Sequence, residues 1–172
     1  MHGATVVVVT EPGEHAGAEA DAAVCTVPGA VLAVRTADCA PILFHGPGGI
    51  AVVHAGWRGL VAGVIERAHE ALVALGAPPD GAVLGPCIRP RCYEFGDEEL
   101  EFVVAAYGPT VRSVTAAGTP GLDVAAGVAE ACRRLGVPLV DEGTCTACSP
   151  HHFSYRARGE SGRQALVAWL DA

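Results

Sequence analysis

The chain has 172 residues, 51% of them apolar and only 5% aromatic, with a formal charge of −8. That length and apolar content suit one domain whose core is built from Val, Leu, Ile and Ala. The acidic balance and the lack of any basic run make nucleic acid and anionic membrane surfaces poor partners. No positively charged segment precedes Val6 to Val9, and the uncharged stretch from Pro41 to Trp57 is broken by glycines, prolines and histidines. The expectation is a soluble, cytoplasmic protein, monomeric or a small homo-oligomer. Its seven cysteines (25, 39, 87, 92, 132, 145 and 148) are odd in number, so reduced thiols are expected rather than a disulfide framework.

Taken in chain order, Thr5 to Thr10 is a β-branched run and predicts a strand, and Glu11 to Ala23 predicts a loop. Ala30 to Val34 and Ile42 to Phe44 predict short buried strands. His45-Gly46-Pro47-Gly48-Gly49 predicts a turn, and Ile50 to His54 the return strand of a hairpin. Leu60 to Leu75 has helical period and ends at Gly76 and Pro78-Pro79. Ala82 to Leu84 predicts a strand, Asp97 to Tyr107 a helix, and Val111 to Thr115 a strand. Asp123 is placed to cap a helix from Val124 to Leu135 that Gly136 ends. Leu139-Val140 and Ala165 to Leu170 predict extended chain. With neither repeat nor linker, the fold expected is α/β: a single domain, residues 1–172, with a mixed β-sheet flanked by helices.

Three segments interrupt apolar strands with reactive residues: His2-Gly3, Thr36 to Pro41 around Asp38 and Cys39, and His54 to Gly59 around Arg58. A turn centred on residue 47 places Cys39 roughly opposite position 54 or 55. A Cys and a His so placed either bind zinc or make a base-activated nucleophile. With His2 as third ligand, a zinc ion would keep one position open. Cys145-x-x-Cys148 followed by His151-His152 has the composition of a structural zinc site, but one isolated Cys-x-x-Cys is not enough to carry it. Cys87 and Cys92 are expected to be packing residues near the site.

In these segments the sequence resembles the YfiH or laccase-domain family, also described as multicopper polyphenol oxidoreductase-like or peptidoglycan editing factor proteins. The residues that carry the resemblance begin with His2-Gly3-Ala4-Thr5-Val6, Thr36-Ala37-Asp38-Cys39-Ala40-Pro41-Ile42 and His54-Ala55-Gly56-Trp57-Arg58-Gly59. Farther on come Gly85-Pro86-Cys87-Ile88, Cys92-Tyr93-Glu94-Phe95-Gly96, Cys145-Thr146 and Phe153-Ser154-Tyr155-Arg156 with Gly162-Arg163. The resemblance implies metal ligation by His2, Cys39 and His54, with zinc as the metal and copper as the older assignment. It implies purine nucleosides and phosphate as substrates: phosphorolysis of adenosine, inosine and methylthioadenosine, with adenosine deamination beside it. It also implies a segment ahead of His2 that this sequence does not contain.

On that reading Arg58 presents a planar guanidinium to phosphate, and Asp38 orients a ligand His or relays a proton. Arg156 and Tyr155 line the substrate pocket, although an alternating strand explains Phe153 to Arg156 equally well. Three other readings remain open. One is a cysteine hydrolase or amidase editing peptidoglycan precursors, with Cys39 as nucleophile and His54 as base. Another is a copper-dependent phenol oxidase. The last is an inactive, shortened metal-binding module.

Overall fold

β-branched and Ala-rich runs supply a six-stranded sheet, seen in a computed structural model that describes residues 3–171. Its strands are β1 (Val6–Val9), β2 (Ala22–Cys25), β4 (Ala40–Gly46), β5 (Gly49–Ala55), β6 (Gly81–Leu84) and β9 (Leu139–Asp141), in the order β1-β2-β5-β4-β6-β9. The two outermost pairs are parallel and the inner ones antiparallel, so the sheet is mixed. β3 (Val31–Thr36) pairs antiparallel with β10 (Gln164–Trp169) as a separate ribbon, and β7 (Arg112–Val114) with β8 (Pro120–Leu122) as a small second one.

The period of two along the hairpin decides what each face touches. Ala40, Ile42 and Phe44 of β4 and Ala51, Val53 and Ala55 of β5 enter the larger core, beneath the helices. Ile50, Val52 and Leu43 face the other way, onto Leu32 and Val34 of β3 and Ala168 of β10. Helices thus cover one face and the β3–β10 ribbon the other. Phe44, Ile42, Val52 and Val53 are wholly buried, each contributing about 1.5–3 kcal/mol of apolar burial.

The helices are α1 (Trp57–Val61), α2 (Val64–Ala74), α3 (Asp97–Tyr107), α4 (Val124–Leu135) and the short α5 (Tyr155–Arg158). In α2, Val64, Ile65, Ala68 and Leu72 are buried, a stripe at helical spacing. Asp97, Glu98 and Glu99 fill the first turn of α3, where negative charge complements the helix dipole. Asp123 caps α4 as expected, its carboxylate accepting from the Ala126 N–H at 2.9 Å. The Tyr107 hydroxyl donates to the Leu60 carbonyl at 2.8 Å and reaches Glu66 at 3.1 Å, tying α3 to α1 and α2.

Three expectations are corrected. The helical period from Leu60 to Leu75 is two helices, because Gly63 adopts φ 77° and breaks the ladder. The segment expected to be loop up to Ala23 contains the start of β2, whose Ala-Ala-Val-Cys sequence carries little strand signal. Tyr155 to Arg158 is helical rather than an alternating strand, since Ser154 caps it by accepting from the Ala157 N–H at 3.1 Å.

Candidate active site

The β4–β5 hairpin pairs Pro41 with His54 and Ala40 with Ala55, closing at Gly46 and Gly49. Cys39 stands one residue ahead of β4, at the same end of the hairpin as His54. The register is therefore shifted by a residue or two from the expected pairing of Cys39 with 54 or 55. Directly after β5 the chain turns at Gly56 into α1. Gly59 permits this approach, because a Cβ there would lie 3.0 Å from the Gly3 carbonyl oxygen.

The carboxylate beside His54 is that of Asp21, not Asp38. Asp21 is buried just ahead of β2, and its Oδ1 lies 3.6 Å from His54 Nδ1. Its carbonyl also accepts from the His54 N–H at 2.7 Å. Oδ2 accepts from the backbone N–H groups of Gly3 at 3.2 Å and Thr5 at 3.4 Å. Among the described residues Oδ1 has no hydrogen-bond partner. One carboxylate thus connects the backbone next to position 2 with the imidazole of His54. His2 itself lies outside the described residues.

Asp38 is held elsewhere. Its Oδ1 accepts from the Thr146 hydroxyl and its Oδ2 from the Arg156 N–H, both at 2.7 Å. Its φ of 88° is the left-handed region, rare for a side chain other than Gly, Asn or Asp. Burial and the adjacent Asp38 charge push the Cys39 thiol up to about 11, against a partial pull from Arg163. Burial likewise pushes Tyr93 up to about 12, with the Cys39 charge adding to it and Arg156 opposing. Tyr93 packs edge-on against Phe95, and Phe95 edge-on against Trp57.

Arg58, Tyr155 and Arg156 lie outside the lining of the cleft that His54 borders. The Arg58 guanidinium is exposed and lies 4.3 Å from the Trp57 ring centre. Arg156 lies 5.1 Å over the Tyr93 ring and donates to the Glu94 carbonyl at 3.4 Å. Tyr155 is 65% exposed, so it offers a ring at the rim rather than a buried contact. A cleft of about 560 Å³ opens between β1, β2, β3 and the loop at 13–20, with Val7, Ala22, Leu32, Arg35 and His54 in its wall. That volume is in the range of small-molecule sites.

A second cluster of reactive groups lies along the chain from this centre. The sulfurs of Cys92, Cys145 and Cys148 all lie within 4.8 Å of one another. Cys92 is therefore not merely a packing residue, whereas Cys87 is fully buried. Burial opposes ionisation of Cys145, but the backbone N–H groups of Arg89, Cys148 and Ala147 and the Cys148 thiol hold it below the usual thiol range.

The family model described as "Multi-copper polyphenol oxidoreductase laccase" matches residues 1–171. The chain belongs to this family. Among relatives, it is 45% identical over 177 residues to "Purine nucleoside phosphorylase SCO2081" of Streptomyces coelicolor, covering 99% of this chain and 73% of that one. It is 40% identical over 176 residues to "Purine nucleoside phosphorylase Rv2149c" of Mycobacterium tuberculosis, covering 99% and 70%. Among solved structures, protein NMB0706 of Neisseria meningitidis superposes with a TM-score of 0.86 at 32% identity, covering 100% of this chain and 73% of that one. YlmD of Geobacillus stearothermophilus superposes at 0.85 with 28% identity, covering 100% and 72%. The family fold is thus the mixed α/β sheet described above. No helix among the described residues is long and apolar enough to cross a membrane.

Sequence reasoning passed over Asp21, Tyr93 and Thr146 as site residues. Asp21 left one usable signal, a lone acid directly before an apolar run. Thr146 stood in the Cys145-Thr146 motif, but nothing tied it to Asp38, 108 positions away.

Proposed function

We propose that the chain is a zinc-dependent purine nucleoside phosphorylase, with His2, Cys39 and His54 as metal ligands and adenosine deamination as a second activity of the same site. The observation that carries the reading is His54 in the wall of a cleft of about 560 Å³, backed by the buried carboxylate of Asp21. A carboxylate behind a histidine fixes ring orientation and tautomer, the arrangement metal-bound imidazoles use. Relatives with the printed name purine nucleoside phosphorylase supply the substrate class.

The residues present suit zinc, which takes imidazole and thiolate together. When bound, zinc would supply a Lewis acid at the cleft. The work of this chain's own groups is then definable. Asp21 Oδ1 faces His54 Nδ1 at 3.6 Å and would orient the ring so that Nε2 is left for the metal. Arg58 and Arg156 offer fork-shaped donors to the phosphate dianion and bring it to C1′ of the ribose. In phosphorolysis a phosphate oxygen forms the bond to C1′ as the bond from C1′ to N9 breaks. The electron pair stays on the purine, which takes up one proton. Water in place of phosphate, directed at C6 of adenosine, would release ammonia and leave inosine.

The state of Cys39 separates this from the cysteine hydrolase reading. A thiol pushed up to about 11 is protonated at neutral pH and is a weak free nucleophile. As a metal ligand it simply gives up its proton on binding. The test is phosphate-dependent release of purine from adenosine and inosine, with ammonia and zinc measured alongside, on the wild-type chain and on His54→Ala. Turnover that needs phosphate, disappears on chelation and is lost in His54→Ala supports the proposal. Full turnover after chelation, or oxygen uptake with phenols and no purine release, overturns it.

A further inference from the structure

We propose that Cys92, Cys145 and Cys148 form a second metal site, for zinc, which clasps the loop that holds Asp38. The proposal is independent of the catalytic reading above and concerns different sulfurs. Cys92 comes from a 3-10 turn at Pro90–Cys92, and Cys145 and Cys148 from a turn closed by the Ser149 N–H on the Cys145 carbonyl at 3.0 Å. The three sulfurs converge within 4.8 Å, and the closest pair, Cys92 and Cys148, is 3.2 Å apart. Thiolates at ~2.3 Å from a tetrahedral zinc stand about 3.8 Å from one another. Small adjustments of these side chains reach that spacing.

Three sulfurs argue for a cation rather than a disulfide, since one bridge would use two and leave the third. Three thiolates around a divalent zinc leave one surplus negative charge. Arg158, itself ion-paired with Glu160 at 2.9 Å, stands beside the turn and donates to the carbonyls of Ala147 at 2.9 Å and Thr146 at 3.4 Å. The following histidines are not required: His152 Nδ1 shares a hydrogen bond with the Ser149 hydroxyl at 2.8 Å. Because Cys148 is exposed, the fourth position faces solvent and takes water.

The consequence for the active site runs through Thr146, which lies between the two cysteines of the turn. Its hydroxyl holds Asp38, the neighbour of Cys39. Cys145 is anchored on the other side too, because the Cys87 carbonyl accepts from the Thr146 N–H at 3.1 Å. Zinc at this cluster would fix the turn and hence the left-handed backbone at Asp38.

The experiment uses the whole chain, reduced and stripped of metal, titrated with Co²⁺ and then Zn²⁺. Thiolate-to-cobalt absorption, zinc content and hydrogen exchange at residues 144–149 are read in wild type, Cys39→Ser and Cys148→Ser. Cys148 is at the surface, so its replacement leaves the core intact. Expected is a strong thiolate band and zinc-slowed exchange in wild type and Cys39→Ser. In Cys148→Ser the band falls to what the Cys39 site alone supports, and zinc binding at the cluster weakens on the order of 100-fold. An undiminished band in Cys148→Ser overturns the proposal. So does a Cys92–Cys148 disulfide by intact mass together with no zinc taken up at the cluster after full reduction.

Discussion

Asp21 and Asp38 are both buried, both stand just ahead of sheet strands, and are held in different ways. Asp38 has each oxygen engaged at 2.7 Å, by the Thr146 hydroxyl and the Arg156 N–H. Asp21 has one oxygen engaged by two longer N–H bonds, while the other faces His54 at 3.6 Å with no hydrogen-bond partner among the described residues. Buried polar oxygens are rarely left in that state without a functional reason. The fully engaged carboxylate joins distant loops, and the half-engaged one faces the His54 imidazole. The geometry sets the Asp21 carboxylate beside His54, while the Asp38 carboxylate is held by Thr146 and Arg156.

The sharpest way to break this comparison is Asp21→Asn. It keeps the volume but weakens the hold on His54, and should lower zinc affinity or turnover by about 10–100-fold with little change in Tm. Equal loss from Asp38→Asn would erase the distinction. Next in size is Thr146→Val, which leaves a buried Asp38 oxygen without its donor. It should cost about 1–3 kcal/mol in denaturant unfolding, with a smaller effect on metal content.

A smaller effect is expected from pH. The Cys39 thiol is raised in the folded state, so its contribution is present below pH 9 and lost as pH rises toward about 11. In metal-stripped protein, the Tm of wild type should fall more steeply over that interval than that of Cys39→Ala, and identical slopes would refute it. Smallest is Asp123→Ala, which should cost ~1 kcal/mol of stability from the lost cap of α4 and leave kcat/KM alone.

What could be read from the sequence follows the same division. α3 and α4 were legible to the residue because periodicity, the acidic first turn of α3 and the Asp123 cap of α4 are local signals. The β4–β5 hairpin was legible from its Gly-Pro-Gly-Gly turn, although its register was not, since a turn's centre fixes pairing only to within a residue or two. Gly63 concealed a break because the apolar spacing of α2 continues the phase of α1. The latch at Asp38 and the joining of Cys92 to the Cys145-x-x-Cys148 pair were illegible for another reason. Thr146 is 108 positions from Asp38 and Cys92 is 56 from Cys148, so only the folded chain joins them.

The left-handed backbone at Asp38 narrows what the chain can tolerate there. Asparagine enters that region at low cost and keeps one acceptor. Glycine enters it freely but gives up both contacts, and branched residues would have to distort the loop. In a library of all substitutions at this position, survivors should be confined to Asn and Gly, with Asn the fitter. A conformational filter would thus act on this codon before any chemical one.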